Sequence, residues 1–319
     1  MVMFDSLTLL PKTSRDSFWA QFPVEKDYIT LRTGYTEIQN FRLVALFMKD
    51  SVAEMQSVHT TGLDLSVARD KRFPDDTIAY RPLLAQQLAQ IPMDFKLDSF
   101  VVDKGNIAYH EISDKYGQEG YLTMNNLQGN VLNLYSRPPA NADSFRIDLS
   151  GLFMHSAPMN LRFAQPYGDT LQSFRFNFNL GPWSIPSINP LVVPLASLAF
   201  KRGSADTMWL SATGDKYRAY GWMGFKYRKL NVNILKGGKY GRYFMSGVVD
   251  VATNVAINNN NKGGATPVYT ERSVNKSTFN YWGKIFSTGL KGNLGVPGNK
   301  KAARKAMRRE NIPDKAPKR

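Results

Sequence analysis

The sequence predicts a mainly β protein, on three observations. Hydrophobic residues recur with period two, the densest segments are rich in aromatic and β-branched residues, and helical spacing is confined to short stretches. In "SFRIDLSGLF", Phe145, Ile147, Leu149 and Phe153 fall on one side, with Arg146, Asp148 and Ser150 on the other. "SFRFNFNL" repeats this with Phe174, Phe176, Phe178 and Leu180, and "MNLRF" groups Met159, Leu161 and Phe163. Successive side chains of a strand point to opposite faces, so these segments are strands with one apolar and one wet face. An antiparallel or mixed sheet suits that pattern better than a doubly buried parallel one.

Further strands are expected near 27–33, 37–48, 51–67, 95–101, 106–112, 120–135, 204–213 and 216–236. Gly221 and Gly224 inside "KYRAYGWMGFKYRKLNVNIL" predict a bulge or a close backbone approach. Asp103-Lys104-Gly105 and Thr213-Gly214-Asp215-Lys216 have the chemistry of tight hairpin turns.

Helices are few. "RPLLAQQLAQI" places Pro82 in a first turn, with Leu84, Leu88 and Ile91 at helical spacing and Pro92 as a stop. "NPLVVPLASL" predicts a short helix from Asn189, and "RYFMSGVVDVATNVAI" another. "STFNYWGKIFSTGLKGNLG" aligns Phe279, Trp282, Phe286, Leu290 and Leu294 behind a Ser277 cap. The expected organisation is a β segment over 1–92 with a linker helix near 80–92, a β region over 93–240, a helical segment over 241–297, and a basic tail over 298–319 that is disordered by itself.

Charge and composition narrow the function classes. The 319 residues carry a net charge of +15 and no cysteine, which excludes disulfides and thiolate metal sites. Residues 298–319 hold nine cations against Glu310 and Asp314, so +7 is concentrated there and the body is only mildly basic. Lys300, Lys301, Arg304 and Lys305 open that tail, and such a segment meets phosphate, on lipid head groups or on nucleic acid. No aromatics interleave with its charges, so specific nucleic-acid binding is not expected. No run of about twenty apolar residues spans a membrane. The first twenty residues lack a secretion signal's basic start, which leaves a cytosolic protein or the C-terminal piece of an anchored chain.

Catalysis has little to work with. His110 and Glu111 are strand neighbours, so their side chains point to opposite faces. His59 and His155 have no metal-ligand spacing, there is no G-x-S-x-G element or phosphate loop, and Asp75-Asp76 lie in a proline-containing turn that reads as solvated. No catalytic residue, cofactor or metal is assigned. The stripe of Phe145, Ile147, Leu149, Phe174, Phe176 and Phe178 is either the inner face of a sandwich or barrel, or the lining of an open sheet that holds lipid. The helix carrying Trp282, Phe286 and Leu290 either packs on the sheet or lies on an anionic membrane, with the basic tail as a second signal.

Specific motifs add a resemblance. "LDSFVVDKGNIAYHEI…GYLTMNNLQGNVLNL" resembles the repeating element of AsmA-like, bridge-like envelope proteins of the Bacteroidetes type, with Asp103, Gly105, Tyr109, Glu111, Asn126, Leu127 and Gly129 in the motif positions. Gly203, Gly221, Met223, Tyr227, Leu230 and Val232 fit that family's C-terminal spacing, and "FNYWGKIFSTGLKGNLG" resembles its closing segment. The resemblance runs from about residue 93 to 295 and departs from the family in lacking an N-terminal anchoring helix. It implies an elongated, curved β-groove in a Gram-negative cell envelope, periplasmic and membrane-associated, as the C-terminal portion of an anchored chain. It also implies a non-enzymatic part in phospholipid transport or outer-membrane assembly. A β scaffold with a closed core, and a nucleic-acid binder acting through its basic tail, are the other expectations.

Overall fold

Among the described residues, alternating side chains, repeated over strand after strand, assemble into one large mixed sheet of seventeen strands that does not close on itself. The computed structural model describes residues 1–44, 51–196, 198–234 and 257–316. The N-terminal strands are β1 (Val2–Phe4), β2 (Leu7–Leu9), β3 (Asp27–Thr33), β4 (Thr36–Gln39), β5 (Arg42–Val44), β6 (Val52–Thr61) and β7 (Asp64–Asp70). The long central strands follow as β8 (Asp94–Ile112), β9 (Glu119–Tyr135), β10 (Ser144–Phe153), β11 (Ala157–Pro166) and β12 (Phe174–Leu180). The sheet ends with β13 (Trp183–Ser184), β14 (Leu198–Gly214), β15 (Arg218–Ile234), β16 (Asn261–Lys262) and β17 (Thr266–Glu271). Five α-helices are described: α1 (Arg15–Trp19), α2 (Leu84–Leu88), α3 (Asn189–Ala196), α4 (Thr278–Leu294) and α5 (Asn299–Arg309).

β8 organises the N-terminal half. Its first part pairs in parallel with β6 and its second with β7, while β9 runs antiparallel along its other edge. The expected hairpin at Asp103-Lys104-Gly105 is absent. β8 continues through it for nineteen residues, and the turn chemistry is spent on a bulge, with the β9 register shifting on both sides of Gly105 and Lys104 at φ 55°. A side chain at 105 would collide with Val102 Cγ1 at 2.6 Å, so glycine lets the bulged strand close on itself. The hairpin expected at Thr213–Lys216 does form, with Asp215 N–H donating to the Arg218 carbonyl at 2.8 Å. Gly221 also behaves as expected: a Cβ there would lie 2.1 Å from the Ser211 carbonyl oxygen of β14.

Other expectations shift. The linker helix shortens to α2, with Leu83 rather than a proline turn at its start. The helix expected over 242–257 lies almost wholly outside the described residues, and from 261 the chain returns as β16 and β17 instead of helix. The tail expected to be disordered forms α5, because Ala303 and Met307 give it a buried face against the sheet.

The main core lies where α4 meets β11, β12, β14 and β15. The indole of Trp282 stacks on Phe176 with ring centres 4.6 Å apart and tilts against Phe163 at 5.1 Å. Phe286 meets Phe176 and Phe178 edge-on, at 5.7 and 5.0 Å. At the far end of α4, the buried Asn293 side chain accepts from Phe225 N–H and donates to the Met223 carbonyl, both at 3.2 Å. It thereby satisfies a stretch of β15 edge between the partners β16 and β17. Trp282→Ala is expected to cost about 3–5 kcal/mol in urea unfolding, the range for emptying a large aromatic site. A loss below about 1 kcal/mol would mean that α4 does not hold this sheet together.

Candidate functional site

Strand register shows which side chains share a surface. One row runs from edge to edge through Val2, Ile38, Val58, Phe100, Val131, Ile147, Phe163, Phe176, Ala212, Gly221 and Val268. Every member is apolar or glycine. A second row on the same face links Leu9, Leu31, Leu65, Ile107, Met124, Phe153 and Ala157. The opposite face reads Glu37, His59, Val101, Asn130, Asp148, Arg162, Asn177 and Ser211, as one-sided strands require. The apolar sides of successive strands therefore merge into a single surface.

That surface is covered unevenly. Over β11, β12, β14 and β15 it is sealed by α4, and Phe176 is 0 % exposed. α2 adds Leu83 and Ala85 to the same core, and Ala85 N–H donates to the side-chain Oε1 of Gln165 at 3.1 Å, satisfying the polar residue opposite Phe145. α3 lies over the end of β9, where a Cβ on Gly120 would sit 2.9 Å from the Leu191 carbonyl oxygen. The N-terminal half differs. Leu9 is 61 % and Ile29 45 % exposed, Phe4 and Leu7 are also exposed, and Leu31, Leu65, Val67, Ile107 and Phe100 are only partly buried. α1 packs on the other side of this part of the sheet through Phe18 and Tyr28, and α3 reaches only the end of β8.

The six stripe residues all share the apolar face, but they do not line an open groove. Phe145, Phe174, Phe176 and Phe178 are buried, while Ile147 and Leu149 are partly buried. The helix expected to meet a membrane is what covers them: Trp282 is 8 % exposed, and Phe286 and Leu290 pack against the same core. A seventeen-residue helix with an apolar stripe finds the sheet before it finds lipid. Phe279, expected on that stripe, is turned outward instead at 62 % exposure.

The polar end of the same face holds a cluster that local sequence reasoning missed. Asp27, Arg69 and Glu111 lie side by side on β3, β7 and β8. Arg69 donates to both Asp27 oxygens at 2.6 and 2.7 Å. Lys71 reaches Glu25 at 2.5 Å, and Lys276, the residue before the cap of α4, bonds Glu25 at 3.0 Å and also Asp75. Asp75 is thus not a solvated turn residue. The Lys276 and Glu25 positions are 251 residues apart, so no local signal marks them. Tyr109 and Glu111, two residues apart on β8, share this face by the alternation of the strand. The Tyr109 hydroxyl donates to Glu111, and burial pushes the Glu111 carboxyl above the ordinary glutamate range despite that bond and the nearby Lys71 and Arg69 charges. His110 faces the other way and pairs with Glu119 at 2.8 Å. Among the described residues no His, Asp or Glu cluster could hold a metal ion.

The third feature is the basic end. Lys300, Lys301, Arg304 and Lys305 are exposed on α5, and with Arg308 they line a cavity of about 700 Å³ beside the end of α4. No helix among the described residues is long and apolar enough to cross a membrane. Comparison with family models, with curated proteins and with solved structures gave no match.

Two outcomes test the ionic cluster. Glu25→Gln leaves Lys71 and Lys276 underneutralised in a buried site, and is expected to lower stability by about 3–5 kcal/mol by urea unfolding. For Glu111 the folded carboxyl holds its proton more tightly than the unfolded one. Its contribution is therefore complete below the ordinary glutamate pKa and is lost as pH rises through the raised value. Glu111→Gln should gain stability relative to the parent as pH rises above the ordinary glutamate pKa, and a difference that stays flat with rising pH would contradict the assignment.

Proposed function

We propose that this protein is a non-enzymatic, AsmA-like cell-envelope protein that holds acyl lipid on the uncovered part of its apolar sheet face. One observation carries the reading: an apolar row continuous across eleven strands, buried under α4 at one end and still partly exposed at the other. A sixteen-carbon chain left in water costs on the order of 12 kcal/mol, at about 0.8 per methylene. A carrier must offer unbroken apolar surface to offset that, and the N-terminal half does so. The lipid-facing residues in this reading are Phe4, Leu9, Ile29, Leu31, Leu65 and Ile107, in place of the sealed phenylalanines. α4 closes the groove at its C-terminal end, and α5 brings cations to an anionic membrane surface. The envelope location, and a place within a longer anchored chain, come from the family resemblance, as does a part in phospholipid transport or outer-membrane assembly.

The sealed core under α4 favours a second reading, a structural β scaffold whose apolar face is simply its interior. The two separate in one measurement. Native mass spectrometry of gently purified protein is expected to show bound acyl lipid, reduced about tenfold or more by Leu9→Asp combined with Ile29→Asp. Both positions are exposed, so the fold tolerates the change. Lipid-free protein, or equal lipid in the variant, would leave the scaffold reading in place.

A further inference from the structure

We infer that the cavity between the end of α4 and α5 binds the phosphate monoester headgroup of a membrane lipid, an inference that rests on the membrane-associated role proposed above and assigns its contact site. Lys300, Lys301, Arg304, Lys305 and Arg308 line the cavity together with Gly292, Gly295, Val296 and Gly298, and no carboxylate is among them. Its volume, about 700 Å³, lies in the range of small-molecule sites. Gly298 has open space where a side chain would project, so a headgroup can approach the backbone there.

The two acidic residues of this region are already engaged. Glu310 is drawn away to Arg218 of β15, and Asp314 pairs with Arg308 at 2.5 Å. Of the five lining cations only Arg308 forms an ion pair among the described residues, and Arg304 also acts on the Asp314 carboxylate, so Lys300, Lys301 and Lys305 are the lining cations for which no carboxylate is close among the described residues. α5 begins at Gly298 with no side-chain cap and no acidic residue in its first turn. Its unbonded N–H groups therefore add to the positive field at the end where Lys300 and Lys301 stand. Ala303 and Met307 are buried on the other side of the helix, which fixes the cations in place rather than leaving them on a loose tail.

Such an array favours a compact dianion over diffuse single charges. A phosphate monoester carries about −1.5 to −2 near neutral pH and presents three acceptor oxygens, whereas a phosphodiester headgroup carries one charge. Bidentate arginine geometry at Arg304 and point charges from the lysines suit those oxygens.

The test is co-sedimentation of the full chain with phosphatidylcholine vesicles containing phosphatidic acid or, at matched surface charge, phosphatidylglycerol. The expected result is at least about tenfold tighter binding to phosphatidic acid, lost by about 20-fold or more in Lys301→Glu/Arg304→Glu. Lys201→Glu/Arg202→Glu, the same charge change on exposed β14 residues outside the cavity, should shift binding by less than about threefold. Equal binding at matched charge, or equal loss in the two variants, would overturn the site in favour of unspecific attraction. Calorimetric binding of inorganic phosphate without vesicle binding would overturn the lipid assignment. Failure of the groove reads out separately: wild-type protein free of acyl lipid but still selective for phosphatidic acid would sink the lipid-holding proposal and support this one.

Discussion

The rest of the structure depends on one constraint: a sheet that is apolar on one face must hide that face, and the described residues supply too little helix to hide all of it. The row from Val2 to Val268 crosses eleven strands. At about 4.8 Å per strand it is some 48 Å long. α4, at seventeen residues, is about 25 Å long and about 10 Å across. It can seal four or five strands, and it does so over β11 to β15 with Trp282 on Phe176 as the closest stack. α2 and α3 are short, and α3 extends the cover only over β9 and the end of β8. The imbalance between sealed and partly open surface follows from these lengths.

Because so much rests on α4, both of its ends are fastened. Lys276 ties its start to Glu25 and Asp75, and Asn293 ties its last turn to the β15 backbone. The two fastenings differ in physics. Asn293 replaces missing ladder bonds and is fully satisfied by short-range geometry. The Lys276 site places like and unlike charges together away from water, where removing one partner costs more than forming the pair gains. Such a site contributes placement more than net stability. It fixes which part of the N-terminal strands sits next to the start of the covering helix.

Much of the fold was legible in sequence because alternation is a local property. Phe145, Ile147 and Leu149 declare a shared face by spacing alone, and the bounds of β3, β10 and β15 lie close to where the period-two runs begin and end. Turn chemistry was legible only in part. Asp215 closes a hairpin, while Asp103-Lys104-Gly105, with equal turn character, became a bulge because β6 and β7 hold β8 straight along both of its parts. The basic helix was missed for a related reason: Ala303 and Met307 are weak signals until a sheet stands beside them.

For the candidate site, composition and periodicity determined that one face would be apolar and one end basic. They could not determine which portion of the apolar face is covered, since that depends on where a helix more than a hundred residues away comes to rest. Nor could they bring Glu25, Lys71, Asp75 and Lys276 together, because electrostatic pairing across 251 positions leaves no periodic trace. Local spacing sets the direction of each side chain. Only the packed chain decides whether that direction ends in protein or in solvent.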